Sequence, residues 1–171
     1  MKKFLKYFLL TIVGIVVLFF LLGVVFPTQH YSISVTINKP VEKTFATFND
    51  TTRMKEWMPG FQKIENISGN ANEVGNKWRL YFNDHDRDIV MDETMTAFKQ
   101  NELFTFNLSN EVINSDTEIR FKQIGNATEI TNTCTYSGGN LFWKSMFVLV
   151  QNSVIEQQKK NFELLKMLVE K

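Results

Sequence analysis

The sequence predicts an α+β chain: one apolar helix, then two short helices after a first strand, a curved antiparallel sheet of about seven strands, and a long C-terminal helix. Three observations carry this. An uncharged apolar run occupies Tyr7 to Phe26, short segments of two-residue alternation fill the middle, and one helical pattern runs from Leu141 to Glu170 without Pro or Gly.

The apolar run follows Lys2, Lys3 and Lys6 and reads YFLLTIVGIVVLFFLLGVVF. About 20 such residues is the length a helix needs to cross the hydrocarbon core. A cleaved signal has an apolar stretch of only about 7–15 residues and ends in small residues. Here the run ends on Val24, Val25, Phe26 and Pro27, which predicts an uncleaved, single-pass membrane anchor over 1–27 and one domain over 28–171. The first basic residue after the span is Lys39. The positive-inside rule therefore leaves the N-terminus in the cytoplasm and the domain on the periplasmic or extracellular side. Gly14 and Gly23 are not at the four-residue spacing of a helix-dimer motif. The expectation is a monomer whose span contributes nothing to the domain core.

His30 to Ile37 alternates, with Tyr31, Ile33, Val35 and Ile37 on one face, and reads as a half-buried strand. Pro40 suits the first turn of a helix, and Val41, Phe45 and Phe48 recur at helical spacing. Asn49 to Thr52 ends that helix and offers caps for a second over about Arg53 to Met58, stopped by Pro59-Gly60. Strands follow over Phe61 to Ser68, Gly75 to Asn83, Ile89 to Phe98, Leu103 to Leu108, Thr117 to Gln123 and Thr128 to Tyr136. Short polar turns between them imply an antiparallel meander with one wet face. Ser137-Gly138-Gly139 ends the sheet, and the last helix carries an apolar stripe through Trp143, Met146, Phe147, Val150, Val154, Leu164, Leu165 and Leu168.

This order of elements resembles the START-like superfamily, also called SRPBCC, which includes polyketide cyclase/dehydrase-like and lipid-transport proteins. The resemblance covers about Tyr31 to Lys171. It rests on I-x-x-P-x-x-x-x-F-x-x-F at Ile37 to Phe48, W-x-P-G-F at Trp57 to Phe61, and LKMLVE at Leu165 to Glu170. It implies the helix-grip fold, in which the sheet wraps the long helix around a deep, mostly apolar cavity and the two short helices close one end. These are structural signatures and carry no catalytic motif.

The expected function is accordingly non-catalytic binding of a hydrophobic small molecule or lipid. Two alternatives stay open: a cyclase/dehydratase-like enzyme using a cavity carboxylate, and a co-chaperone-like protein-interaction module. Inward parity places Trp78, Leu80, Phe82, Met91, Glu93 and Met95 on the cavity wall, with Phe104, Phe106, Ile119, Phe121 and Tyr136 beyond them. The helix adds Val150 and Val154, and Gln157 and Asn161 stand on the same stripe as paired amides that can orient a ligand. Glu93 is the candidate general acid and Tyr136 a second proton donor, unless a bulge turns Glu93 outward or Arg79 pairs with it.

Other chemistries find little support. The chain carries 19 basic and 18 acidic residues, and without its first three lysines the remainder has a net charge of −2, so no basic surface for nucleic acid is expected. Cys134 is the single cysteine and is expected to face inward as a small hydrophobe. Asp84, His85, Asp86 and Asp88 form the one metal-like cluster, but the position calls for a polar hairpin turn, so neither metal nor cofactor is expected. Sequons at Asn49, Asn66, Asn107 and Asn126 could be used in a secretory pathway that glycosylates, and in an asparagine-rich bacterial chain, the favoured reading, they carry no implication. Sixteen phenylalanines fit a filled core as well as a hollow one.

Overall fold

The apolar N-terminal run is helical, as α1 (Lys2–Val25), and is long and apolar enough to cross a membrane. The computed structural model describes residues 2–84 and 87–171. After α1 come β1 (Thr28–Ile37), α2 (Val41–Phe48), a 3-10 turn (Thr51–Arg53) and α3 (Met54–Trp57). The meander is β2 (Phe61–Ser68), β3 (Lys77–Asp84), β4 (Arg87–Lys99), β5 (Leu103–Ser109), β6 (Ile113–Ile124) and β7 (Ala127–Gly138), and α4 (Leu141–Glu170) closes the chain. The seven strands form one antiparallel sheet in the order β1-β7-β6-β5-β4-β3-β2. The first strand thus returns to pair with the last, while the others follow chain order.

Local chemistry explains the elements. Pro40 stands at the N-cap of α2 rather than inside it, and the Val41 N–H donates to Gln123 Oε1 of β6 at 2.6 Å. Asp50 accepts from the Thr52 N–H at 3.0 Å and starts the 3-10 turn. Gly60 adopts φ +81°, a conformation that favours glycine, and its carbonyl accepts from the Asn83 N–H at 2.8 Å. The helix stop read from Pro59-Gly60 therefore also ties α3 to β3.

Strand β6 begins at Ile113, four residues before the expected Thr117. Asn110 Oδ1 accepts from the Val112 and Ile113 N–H groups and makes a tight hairpin out of what reads as a polar loop. Asn140 caps α4, its Oδ1 accepting from the Trp143 N–H at 3.1 Å. Asn140→Ala is expected to cost about 1 kcal/mol. A thermal melt checks it, and an unshifted midpoint would mean that the bond contributes nothing.

One end of the half-barrel is filled. Phe45 and Phe48 of α2 and Trp57 of α3 meet Phe98, Phe104 and Phe121 of the sheet and Phe162 of α4. Ile37, Leu165 and Val169 are completely buried beside them.

The apolar span is not independent of the domain, contrary to the sequence expectation. Gly23 is buried against α4, and a Cβ there would lie 2.5 Å from Ser145 Oγ and 3.0 Å from the Leu141 carbonyl oxygen. The Phe19 and Phe142 rings stand 5.6 Å apart in the same contact. Only a glycine lets the two backbones approach so closely, which is why a spacing motif for dimers gave no sign of it.

Candidate ligand-binding face

The inner face of the sheet is built in transverse rows. One runs Trp78–Glu93–Leu108–Ser115–Tyr136–Gln29 from β3 to β1, and the next Met95–Phe106–Thr117–Cys134–Tyr31. A bulge does occur in β4, but between Met95 and Ala97, so it brings Phe98 inward and leaves Glu93 on the inner face. Arg79 is not its partner. Arg79 points to the outer face and donates to Asp92 at 2.7 Å.

Glu93 is 7 % exposed, and among the described residues its carboxyl has no hydrogen bond or ion pair. Desolvation pushes its pKa up to about 7, because an unpaired carboxylate loses its hydration on burial. Tyr136, at 2 % exposure, likewise finds no partner for its hydroxyl among the described residues. Burial and the neighbouring Cys134 push its pKa up to about 12. Ser115 between them is satisfied, donating to the Leu108 carbonyl at 3.1 Å.

The long helix leaves part of this face open. α4 packs along β1 and β7, and α2 and α3 lean on β6, β7 and β2 and reach β4 and β5 at Phe98 and Phe104, so no helix packs closely over β3 or over the Glu93 half of β4 and β5. Trp78, Phe82, Met91, Phe106 and Leu108 therefore point inward yet stay only half-buried. They form an apolar concave surface around Glu93.

The sequence-derived site residues thus separate into groups. Trp78, Phe82, Met91, Glu93 and Phe106 share the concave face, with Leu80 and Met95 buried at its base. Phe104, Ile119 and Phe121 belong to the filled end, where α2 and α3 occupy the space a ligand would take. Val150 and Val154 are half-buried on α4, and Val154 packs with the Tyr31–Cys134–Tyr136 cluster.

Gln157 departs from expectation: it is exposed, and only Asn161 is buried. Gln157 Nε2 donates to Asn161 Oδ1 at 2.9 Å, and Gln157 lines a shallow outer hollow with Glu156 and Lys160. The inward-facing stripe of α4 passes through half-buried Val154 and Gln158 and buried Asn161, and Gln157 lies about 100° away from Gln158 around the helix.

Two further features escaped sequence reading. A groove of about 450 Å³ opens where α4 meets the free edge of β1, lined by Ile33, Val35, Ile130, Asn132, Lys159 and Phe162 among others. Asn132 is 2 % exposed and its Oδ1 is unpartnered among the described residues. Its parity on β7 was readable; the gap beside it was not.

Cys134 is buried, accepts from Thr117 Oγ1 at 3.4 Å, and has its thiol pKa pushed up by desolvation, so it is no nucleophile. Of the metal-like cluster, Asp88 accepts from Asn83 Nδ2 at 2.9 Å, while His85 and Asp86 lie outside the described residues. Among the described residues no three His, Cys, Asp or Glu side chains are grouped to hold a metal ion.

Residues 28–170 match the model of a family described as polyketide cyclase / dehydrase and lipid transport. No curated protein matches the chain. Among solved structures, the ZhuI aromatase/cyclase from Streptomyces sp. R1128 superposes with TM-score 0.70 at 11 % identity, over 84 % of this chain and 94 % of that one. Ara h 8.0201 gives TM-score 0.68 at 13 % identity, over 83 % and 97 %. TTHA0849 from Thermus thermophilus gives 0.65 at 14 %, over 82 % and 97 %. At these identities the likeness is one of fold, a seven-stranded antiparallel sheet with a long C-terminal helix, as the helix-grip resemblance implied.

Proposed function

The chain belongs to the polyketide cyclase / dehydrase and lipid transport family, and from that membership we propose that its concave sheet face binds a hydrophobic small molecule or lipid without transforming it. One observation carries the reading: among the described residues Glu93 is buried without a partner, in the middle of half-buried apolar side chains. Burying an unpaired carboxyl costs stability, and a ligand oxygen or hydroxyl is the group that would satisfy it. Near neutral pH the neutral form can donate its O–H to such an oxygen. Trp78, directly opposite on β3, and Leu108, opposite on β5, would flank the apolar part. The α1 span would hold this face beside a membrane that supplies the ligand, with the domain on the non-cytoplasmic side.

Trp78 reports on the site. In full chain carrying Trp143→Phe, reconstituted with brominated phosphatidylcholine, tryptophan emission is expected to fall, and the further change Trp78→Phe should remove the quenched component. Emission unaffected by brominated lipid, with the Trp78 signal present, would sink the proposal.

The same carboxyl favours a second reading, since a group titrating near neutrality can serve as a general acid. The family's description as polyketide cyclase / dehydrase makes a polyketide the class of substrate to try. Turnover lost in Glu93→Gln while binding persists would select this reading over simple binding.

A further inference from the structure

Helix α4 opens with LFWKSMFVLV, apolar around its whole circumference except for Lys144 and Ser145. The sheet-facing side of this stretch has its partners: Phe147 meets Tyr136 with ring centroids 5.4 Å apart. The opposite flank touches α1 and is otherwise uncovered among the described residues. Leu141 and Phe142 are 41 % and 47 % exposed, and Leu149, one further step along the Phe142–Ser145 flank, is 60 % exposed. A water-facing helix surface is ordinarily polar, so an apolar flank of this kind marks a contact with something apolar.

Its occupant follows from what already touches it. Ser145 is fully buried and meets the backbone of α1 at Gly23, and Phe142 meets Phe19. Phe19 lies six residues before Val25, the last residue of α1, and at 1.5 Å rise per residue this is roughly 9 Å below the end of the span. A side chain held at that level is at the depth where interfacial helices bury their apolar face, about 5–10 Å into the boundary between headgroups and acyl chains. Trp143 and Lys144, between Phe142 and Ser145, are of the types that sit at headgroup level.

We infer that the first turns of α4, through Leu141, Phe142 and Leu149, are immersed in the bilayer interface beside α1 and make a second membrane contact that fixes the orientation of the domain. The inference rests on the reading of α1 as a membrane span. It has a consequence for the binding face: Gln29, which begins the Glu93 row, follows α1 by four residues, so that row belongs to the membrane-proximal end and the aromatic plug of α2 and α3 to the distal end.

Depth-dependent quenching tests this on the full chain. Three single-site variants, Val16→Cys, Leu141→Cys and Met167→Cys, are labelled with a small fluorophore and reconstituted in phosphatidylcholine vesicles containing doxyl-labelled lipid. Cys134 stays in place, and the unsubstituted chain reports any labelling of it. The label at Leu141 is expected to lose roughly half of its emission, as the label in the span does, and the label at Met167 on the far end of α4 to lose almost none. Quenching at Val16 without quenching at Leu141 overturns the second contact and leaves the anchor standing. Absence of quenching at Val16 overturns both. Disulfide crosslinking between Leu141→Cys chains, with no quenching by lipid, would assign the flank to a second copy of the chain and overturn the inference as well.

Discussion

Glu93→Gln is expected to stabilise the protein at pH 8 by about 3 kcal/mol and to change it little at pH 4.5. The native carboxyl titrates at about 7 against a model value of 4.5. Between these values the folded chain keeps a proton that the unfolded chain releases, so the wild type loses stability as pH rises through the window and levels off above it. The amide cannot ionise, which removes the loss. In thermal melts of the full chain in detergent the midpoints should coincide near pH 4.5 and separate by roughly 6–12 °C at pH 8. Parallel pH profiles for the two proteins would show that the carboxyl is not desolvated, and the candidate site would lose its central group. A bound ligand that accepts the Glu93 O–H should raise the wild-type midpoint and not that of a leucine variant.

Phe48→Ala should be the more damaging change, at about 3–5 kcal/mol. Its ring meets Trp57 at 5.6 Å, Phe104 at 5.4 Å and Phe121 at 5.3 Å, so a single side chain joins α2 to α3, β5 and β6. Truncation leaves a cavity among rings that cannot collapse into it, and the loss is a large share of a total of about 5–15 kcal/mol. Chemical unfolding monitored by near-ultraviolet circular dichroism reads both stability and the aromatic packing. A loss below about 1 kcal/mol would mean that this end of the half-barrel is as open as the Glu93 end. The two substitutions together separate the filled half of the interior from the half proposed to bind.

The sheet was legible because its signal is local. Tyr31, Ile33, Val35 and Ile37 alternate with polar residues whatever lies opposite them, and so do Trp78, Leu80 and Phe82. Glu93 could be placed inward from parity alone, and Pro59-Gly60 marked the stop after α3 without knowledge of its partner. The apolar N-terminal helix declared itself by length and composition.

Contacts between distant segments decided the rest. Whether Glu93 has a partner depends on strands β3 and β5, and the candidate cation, Arg79, is drawn to the outer face by Asp92. The concave face stays open because α4 lies along β1 and β7, a placement that no periodicity encodes. The azimuth of α4 likewise put Asn161 inside and Gln157 in water, though both fit a helical stripe on paper. Gly23 looked idle until Ser145, far along the chain, came to rest against it. The sequence by itself determined which residues form strands and helices and which face of each is apolar, since 2.0- and 3.6-residue periods are properties of a short stretch of chain. Only the tertiary structure decided which apolar faces cover one another and which remain open, because packing joins segments whose separation along the chain leaves no periodic trace.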